Sequence, residues 1–411
     1  MANAHGPESG DPESSGLVTD GPGWSGLEPG GLEPGYLDLR GLEFRRASHP
    51  DNAAIVEFLA SHAMEAGLAL RFDRSPDFFA LHAAQSNRYE TLLLLERQRI
   101  VGMGSLVFRP GYIDGAPEQI AYLAELRVSG GRKIAGLWRR LLSERIASSG
   151  GEPQARYGYC CIIRDNRLAR ASVLRSRADD VLRFEHLRGY SNVSLLARKP
   201  WVRRHDKTVS IRRAGPSDSQ RLRRFIDSDS ASRPFGVVFD EATWQHRLEH
   251  WPGFGIENFY LAFDAANRLL GCLAPWDSSA INRIVIDRMP TALNAIRVAY
   301  NALAALRGRA RIAVGAGSHL PDIALTHVHV DNRDPNVLQA LLDTAYRDIA
   351  KTGRHATLSL CVYDADPLAP ALAGYWHQAI PMDLYWLKLD PAAGPLPVPA
   401  DRMPGFESYL V

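Results

Sequence analysis

Residues Tyr122-Leu123-Ala124-Glu125-Leu126-Arg127-Val128-Ser129-Gly130-Gly131-Arg132-Lys133-Ile134-Ala135-Gly136-Leu137 put an apolar run, a basic glycine-containing loop and a helix start in direct succession. Gly130, Gly131 and Gly136 let backbone N–H groups converge, and Arg132 and Lys133 add positive charge. Leu137, Trp138, Leu141, Leu142 and Ile146 then recur at helical spacing. Such a loop, leading into a helix N-terminus, suits an anion, and a pyrophosphate best of all. The same residues could also make an ordinary strand–turn–helix corner with solvated basic side chains. Other reactive residues say less. His327 and His329 alternate on one strand and share a face, but no second pair stands at metal spacing, so polar cleft residues are expected rather than zinc ligands. Cys160-Cys161 in an apolar strand reads as two small hydrophobes. Seven arginines between Arg164 and Arg188 are interrupted by Asp165, Asp179, Asp180 and Glu185, which describes a solvated surface. No aromatic interleaving supports base stacking, so no nucleic-acid partner is expected.

The elements that must position these groups occur twice. Phe44-Arg45-Arg46-Ala47 followed by Asp51 recurs as Ile211-Arg212-Arg213-Ala214 followed by Asp218. Each copy predicts a strand, a turn and an amphipathic helix, with Ile55, Phe58, Leu59 and Ala63 on one face in the first and Leu222, Phe225 and Ile226 in the second. A hairpin follows in each half, 91–96 with 100–108 across Arg97-Gln98-Arg99, and 259–263 with 269–276 across 264–268; Gly102 and Gly271 take matching positions. Next come a strand and a helix (120–128 with 134–147; 323–330 with 336–350) and a further strand (157–163; 356–362). Five elements in one order mark a degenerate internal repeat.

With 411 residues the chain is long enough for two domains. No apolar run approaches the ~20 residues of a membrane span, and residues 1–39 lack the basic and apolar segments of a signal peptide, so no membrane partner is expected. The four cysteines are scattered, and a reduced, cytoplasmic compartment is the expectation. Residues 1–40 are rich in Gly, Pro and Glu and repeat Gly-Leu-Glu-Pro-Gly, so a disordered tail is expected there. Residues 1–39 carry seven acidic and no basic residues, leaving the body moderately basic and suited to anionic ligands. Residues 391–411 are again Pro-rich and expected to be an irregular tail.

Strand, helix, antiparallel hairpin, strand, phosphate-loop helix and strand, in that order, resemble the GCN5-related N-acetyltransferase (GNAT) family of acyl-CoA-dependent acyltransferases. That family's central strand ends in Leu-x-Val, here Leu126-Arg127-Val128, before Arg/Gln-x-x-Gly-x-Gly/Ala, here Arg132-Lys133-Ile134-Ala135-Gly136-Leu137. Ala135 and Leu137 depart from the motif's glycines. Arg164-Asp165-Asn166-Arg167-Leu168-Ala169 resembles the Asn-x-x-Ala segment, although the usual Tyr seven residues beyond the Asn is Val173 here. Leu187-Arg188-Gly189-Tyr190 resembles the Gly-Phe before the last strand. The resemblance implies an α/β fold (α+β, mixed sheet) of two tandem GNAT-like domains, at 41–200 and, degenerately, 208–390. It implies acetyl-CoA or another acyl-CoA as co-substrate, no metal, and a small-molecule or protein amine as acceptor. Cofactor contacts would come from Leu126, Val128, Arg132, Lys133, Ile134, Ala135, Gly136, Leu137 and Asn166. Glu125 would be the catalytic base, or else would pair with Arg127 or another arginine. Tyr159, Cys160, Ser172 and Tyr190 are replacement candidates for the acid. Two alternatives stand beside this: a non-catalytic acyl-CoA-binding protein, and transfer of a longer chain from CoA or an acyl-carrier protein. The second half has Asp331-Asn332-Arg333-Asp334-Pro335-Asn336 where the phosphate loop should be, and is expected not to bind CoA. His327, His329 and Asp331 are expected to line its cleft.

Overall fold

The computed structural model describes residues 36–38, 41–62, 64–66, 68–147, 155–167, 169–170, 182–202, 209–315, 317–390, 392–397 and 402–410. The tail expectation thus lies outside them, except for Tyr36–Asp38, and so do Ala63, Ser172 and Val173. The first half contains β1 (Tyr36–Asp38), β2 (Leu42–Arg46), α1 (Asn52–Ala60), β3 (Met64–Ala66), β4 (Leu68–Asp73), α2 (Ala80–Gln85), β5 (Arg88–Glu96), β6 (Arg99–Ile113), β7 (Ala116–Val128), α3 (Gly131–Ala147), β8 (Tyr157–Ile163) and β9 (Phe184–Arg198). The second contains β10 (Ser210–Arg213), α4 (Ser219–Ala231), β11 (Gly236–Val237), α5 (Glu241–His250), β12 (Tyr260–Phe263), β13 (Leu269–Trp276), β14 (Arg283–Arg288), α6 (Thr291–Leu306), β15 (Asp322–Val330), α7 (Pro335–Thr352), β16 (Thr357–Tyr363) and β17 (Tyr375–Lys388).

The repeat seen in the sequence is a repeat of structure. Arg45 donates to both Asp51 oxygens at 2.8 and 2.7 Å, and Arg212 does the same to Asp218 at 2.7 and 2.6 Å. In each copy the carboxylate also accepts a backbone N–H three residues back, from Ser48 or Gly215, which fixes the turn from strand into helix. Behind these clamps α1 buries Ile55, Phe58 and Leu59, and α4 buries Leu222 and Ile226. The first hairpin is tighter than the expected three-residue turn. Arg97 and Gln98 both adopt positive φ, as a two-residue turn requires, and Arg99 already belongs to β6.

One fourteen-stranded sheet runs β1-β2-β5-β6-β7-β8-β17-β9-β16-β15-β13-β12-β10, with β11 beside β6. The closing strands are exchanged between halves. β17 lies between β8 and β9, with Met382–Lys388 opposite Ile163–Tyr157, and β9 pairs with β16 from Tyr190↔Tyr363 to Leu195↔Leu358. A small second sheet, β14-β4-β3, also joins the halves, reinforced by Arg71 on Asp287 at 2.9 Å. Helix α3 packs on the first half through Trp138, over β6 where Gly102 leaves room: a Cβ there would stand 3.1 Å from the indole. Helix α7 covers the second half with Val337, Leu338, Leu341 and Leu342.

Candidate functional site

Two forks of one design open in the sheet. Strands β7 and β8 are parallel and paired only at Ile120–Tyr122 with Tyr157–Tyr159. Strands β15 and β16 are paired only at Asp322–Ala324 with Thr357–Ser359. Beyond these three-residue ladders the strands separate. In each fork the inner strand shifts register against its neighbour and carries one non-glycine residue in the left-handed region, Glu125 (φ 53°) or His327 (φ 50°). A bulge re-aims a side chain and leaves the released edge of β7, Leu123 to Val128, without a β8 partner.

Glu125 sits at the mouth of the first fork. Its carboxylate accepts from Arg74 Nη2 at 2.5 Å and lies 3.6 Å from Arg127 Nη2, so the arginine pairing weighed from the sequence is present. Arg74 is 1% exposed. It follows β4, on the small sheet that links the halves. Burial pushes the Glu125 carboxyl up, but Arg74 and Arg127 outweigh it and hold the group below its ordinary value. Burial lowers the Arg74 guanidinium as well, yet from so high a value that it stays charged. His82 of α2, buried nearby, is driven down to about 4 by burial and by Arg74, and is neutral near pH 7. Its Nε2 bonds Ser105 Oγ at 2.9 Å, and Ser105 bonds Thr91 at 2.8 Å. Of the acid candidates, Tyr190 is buried beside Cys161, whose Sγ lies 3.6 Å from Tyr122 Oη, whereas Cys160 faces the apolar core under α3. Tyr159 accepts a bond from Arg109, and burial, against Arg109, raises its hydroxyl to about 12.

The glycine loop leads straight out of this fork. Gly130 and Gly131 take φ values of 95° and 82°, and α3 starts at Gly131, three residues earlier than the periodicity indicates. The helix thus begins with no acidic residue in its first turn, and Arg132, Lys133 and Gly136 are exposed while Ile134, Ala135 and Leu137 are half-buried. Leu126 and Val128 pack on the core under α3. Asn166 stands apart in role: its Oδ1 accepts the Ala169 N–H at 3.0 Å, capping the turn after β8. In the second half α7 starts at Pro335, with Asp334 as N-cap accepting the Asn336 N–H at 2.8 Å.

The second fork is filled. His327 and His329 line a cavity of about 80 Å³, together with Arg247 and residues 405–409. Arg247 donates to His327 Nε2, and Thr326 Oγ1 donates to the Ala274 carbonyl, so the hydrogen on His327 Nδ1 points to Thr326 Oγ1 at 2.7 Å. Burial, then Arg247, keeps this imidazole neutral. His329 bonds Asp229 at 2.6 Å. Asp331, expected beside them, pairs with Arg268 at 3.3 Å and is not among the lining residues. Residues 402–410 lack sheet structure, as their composition suggests, but they pack into the fold. Phe406 lies 5.3 Å from the Tyr190 ring, and Leu410 is 2% exposed. Among the described residues no three His, Cys, Asp or Glu side chains are grouped to hold a metal, and no helix is long and apolar enough to cross a membrane.

No protein-family model matches the sequence, and no curated protein matches it. Solved structures do. N-myristoyltransferase of Saccharomyces cerevisiae with bound myristoyl-CoA aligns with a TM-score of 0.54 at 10% identity, covering 87% of this chain and 85% of that one. A tandem GNAT protein from the clavulanic acid biosynthesis pathway aligns at 0.51 and 11%, covering 86% and 100%. A GCN5-related glucosamine N-acetyltransferase region of a fungal multi-domain β-N-acetylglucosaminidase aligns at 0.52 and 13%, covering 87% of this chain and 38% of that one. At such identities the likeness is one of fold. The chain has the mixed α/β fold of the GNAT superfamily, in tandem.

Proposed function

We propose that the chain is an acyl-CoA-dependent N-acyltransferase with its donor site in the first fork, around residues 126–137 and Asn166. One observation carries this reading: the two forks share a design but differ at the helix beyond. The first leads to a helix start with two left-handed glycines, no acidic residue and two cations, whereas the second leads to one capped by Asp334 and Pro335. An anion finds donors and favourable charge only at the first. The unpaired edge of β7 offers amide groups to an extended amide-bearing arm, as to an added strand.

In the reaction the acceptor nitrogen bonds to the thioester carbonyl carbon and loses a proton. The C–S electrons leave on the CoA sulfur, which takes a proton up. Glu125 is the proposed catalytic carboxylate. Held below its ordinary value by Arg74 and Arg127, it is a far weaker base than a free alkylamine. It therefore works on the N–H as bond formation acidifies it, directly or through water, and not by prior deprotonation. Acetyl-CoA is the proposed donor, to be compared with long-chain acyl-CoA. The close Arg74 pairing favours one other reading, a non-catalytic acyl-CoA-binding protein. Thiol release from acetyl-CoA and long-chain acyl-CoA, measured against an amine panel, tests the proposal. CoA binding without turnover on any amine supports the non-catalytic reading, and absence of both sinks the assignment.

A further inference from the structure

Arg109 of β6 and Arg247 of α5 come from different halves and are 5% and 4% exposed. Both point at one carboxylate, that of Glu407: Arg109 Nη1 donates at 2.7 Å and Arg247 Nη2 at 2.6 Å, while the Tyr409 hydroxyl donates at 2.5 Å. The neighbouring cations have partners of their own, Arg233 with Asp229 and Arg333 with Asp366. The imidazole facing Arg247 is neutral His327, which accepts from it. Among the described residues Glu407 alone therefore balances this pair, and burial of its carboxyl is outweighed by Arg247 and Arg109. Arg109 Nε is buried with no hydrogen-bond partner among the described residues, and the cavity of about 80 Å³ adjoins the cluster.

Nothing about this constellation needs the carboxylate to be covalently joined to it. Two guanidinium groups and a neutral imidazole are held by β6, α5 and β15, whereas Glu407 and the Tyr409 phenol arrive together on residues 402–410, a segment without sheet structure. Flanking residues seat that segment: Phe406 against Tyr159 and Tyr190, Tyr409 against Trp251, and Leu410 through its carbonyl on Gln85 Nε2 at 2.9 Å. We propose that Arg109 and Arg247 form a carboxylate-binding site at the junction of the halves, filled by the chain's own Glu407. Its ligand class is a small carboxylate, and the C-terminal segment is a strap that delivers one at high local concentration. The site is independent of the acyltransfer reading.

The test uses the full chain with Glu407→Ala, which removes the carboxylate and leaves a space of its size. Thermal melting is followed while sodium formate is titrated against sodium chloride at matched ionic strength. The variant should melt lower than the wild type, and formate should raise its melting temperature saturably. Wild type and Glu407→Ala/Arg109→Gln should show no such response, and benzoate, too large for the space, should not replace formate. Equal formate and chloride curves for Glu407→Ala, or the same formate response in the wild type, would overturn the proposal. Should Glu407→Ala fold in neither salt, Glu407→Gln decides: a lowered melting temperature supports the site and an unchanged one refutes it.

Discussion

Glu125 occupies a backbone conformation that few side chains adopt and pairs with a fully buried guanidinium, so its substitution has two separable effects. Glu125→Gln keeps the shape but strips Arg74 of its counter-charge. Breaking one side of a buried pair costs ~3–5 kcal/mol, and the melting temperature should fall accordingly. If the carboxylate also acts on the amine, turnover should drop roughly 10²-fold or more while CoA affinity is kept. Equal losses of affinity and turnover would instead assign Glu125 to structure alone. Gly136 offers a cleaner probe, because a Cβ there meets nothing within 4 Å. Gly136→Trp should leave melting unchanged and abolish CoA binding by filling the approach to α3. Wild-type affinity in that variant, measured by calorimetry, would exclude the α3 start as the pyrophosphate site. Removing the Arg132 charge with Arg132→Ala should weaken CoA by ~1.5–3 kcal/mol.

At the level of elements, the contrast between α3 and α7 sets the expected stoichiometry. Both follow a forked strand with a bulge, but in the first turn of α7 the Asn336 N–H is already taken by the Asp334 side chain, and Pro335 contributes none. Calorimetry should give about one CoA per chain, unaffected by Asn336→Ala. Two equivalent sites, or loss of the single site in that variant, would overturn the asymmetry. Docking of α3 rests on the gap at Gly102, where a Cβ would meet the Trp138 indole at 3.1 Å and Leu94 at 3.3 Å. Gly102→Val should therefore overpack this contact at a cost of ~1–3 kcal/mol and shift the glycine loop, reducing CoA affinity along with stability.

For the molecule as a whole, strand exchange makes each half incomplete. A fragment ending near residue 200 lacks β17, so β8 and β9 would each face water where a partner belongs. Neither half should fold alone, and mixing the two should restore a cooperative melt; a soluble first half with a sharp transition would contradict this. Acid should act on the same junctions. Glu125 and Glu407 have folded values below 4.5, so the stability they contribute is complete above about that pH and is lost as pH falls through the folded values. His82 adds an earlier loss: its folded value is about 4 against 6.5, so the unfolded chain alone takes up a proton across that window. Melting temperature should decline as pH falls below about 6.5 and more steeply below about 4.5, and Glu407→Gln should flatten the lower segment.

The sequence alone determined the repeated elements of each half and their order, because those follow from local periodicity and from side chains a few residues apart. The Arg45–Asp51 and Arg212–Asp218 clamps span six residues, and the Gly130–Gly136 loop lies between a strand and a helix it directly connects. The repeated pattern around the clamps and the loop were legible in the sequence, whereas the Arg–Asp pairing itself is seen only in the structure. Only the tertiary structure decided what lies opposite each of these groups. Arg74 reaches Glu125 across 51 residues and Arg109 reaches Glu407 across 298, and no periodicity records such pairings. The same holds for β17 between β8 and β9, whose partner edges are chosen by the whole sheet. The Pro-rich composition predicts an irregular segment after residue 390, and among the described residues there none lies in a strand. It could not reveal that Phe406, Glu407 and Leu410 are buried, since a segment of few apolar residues gains its place from the pocket that receives it.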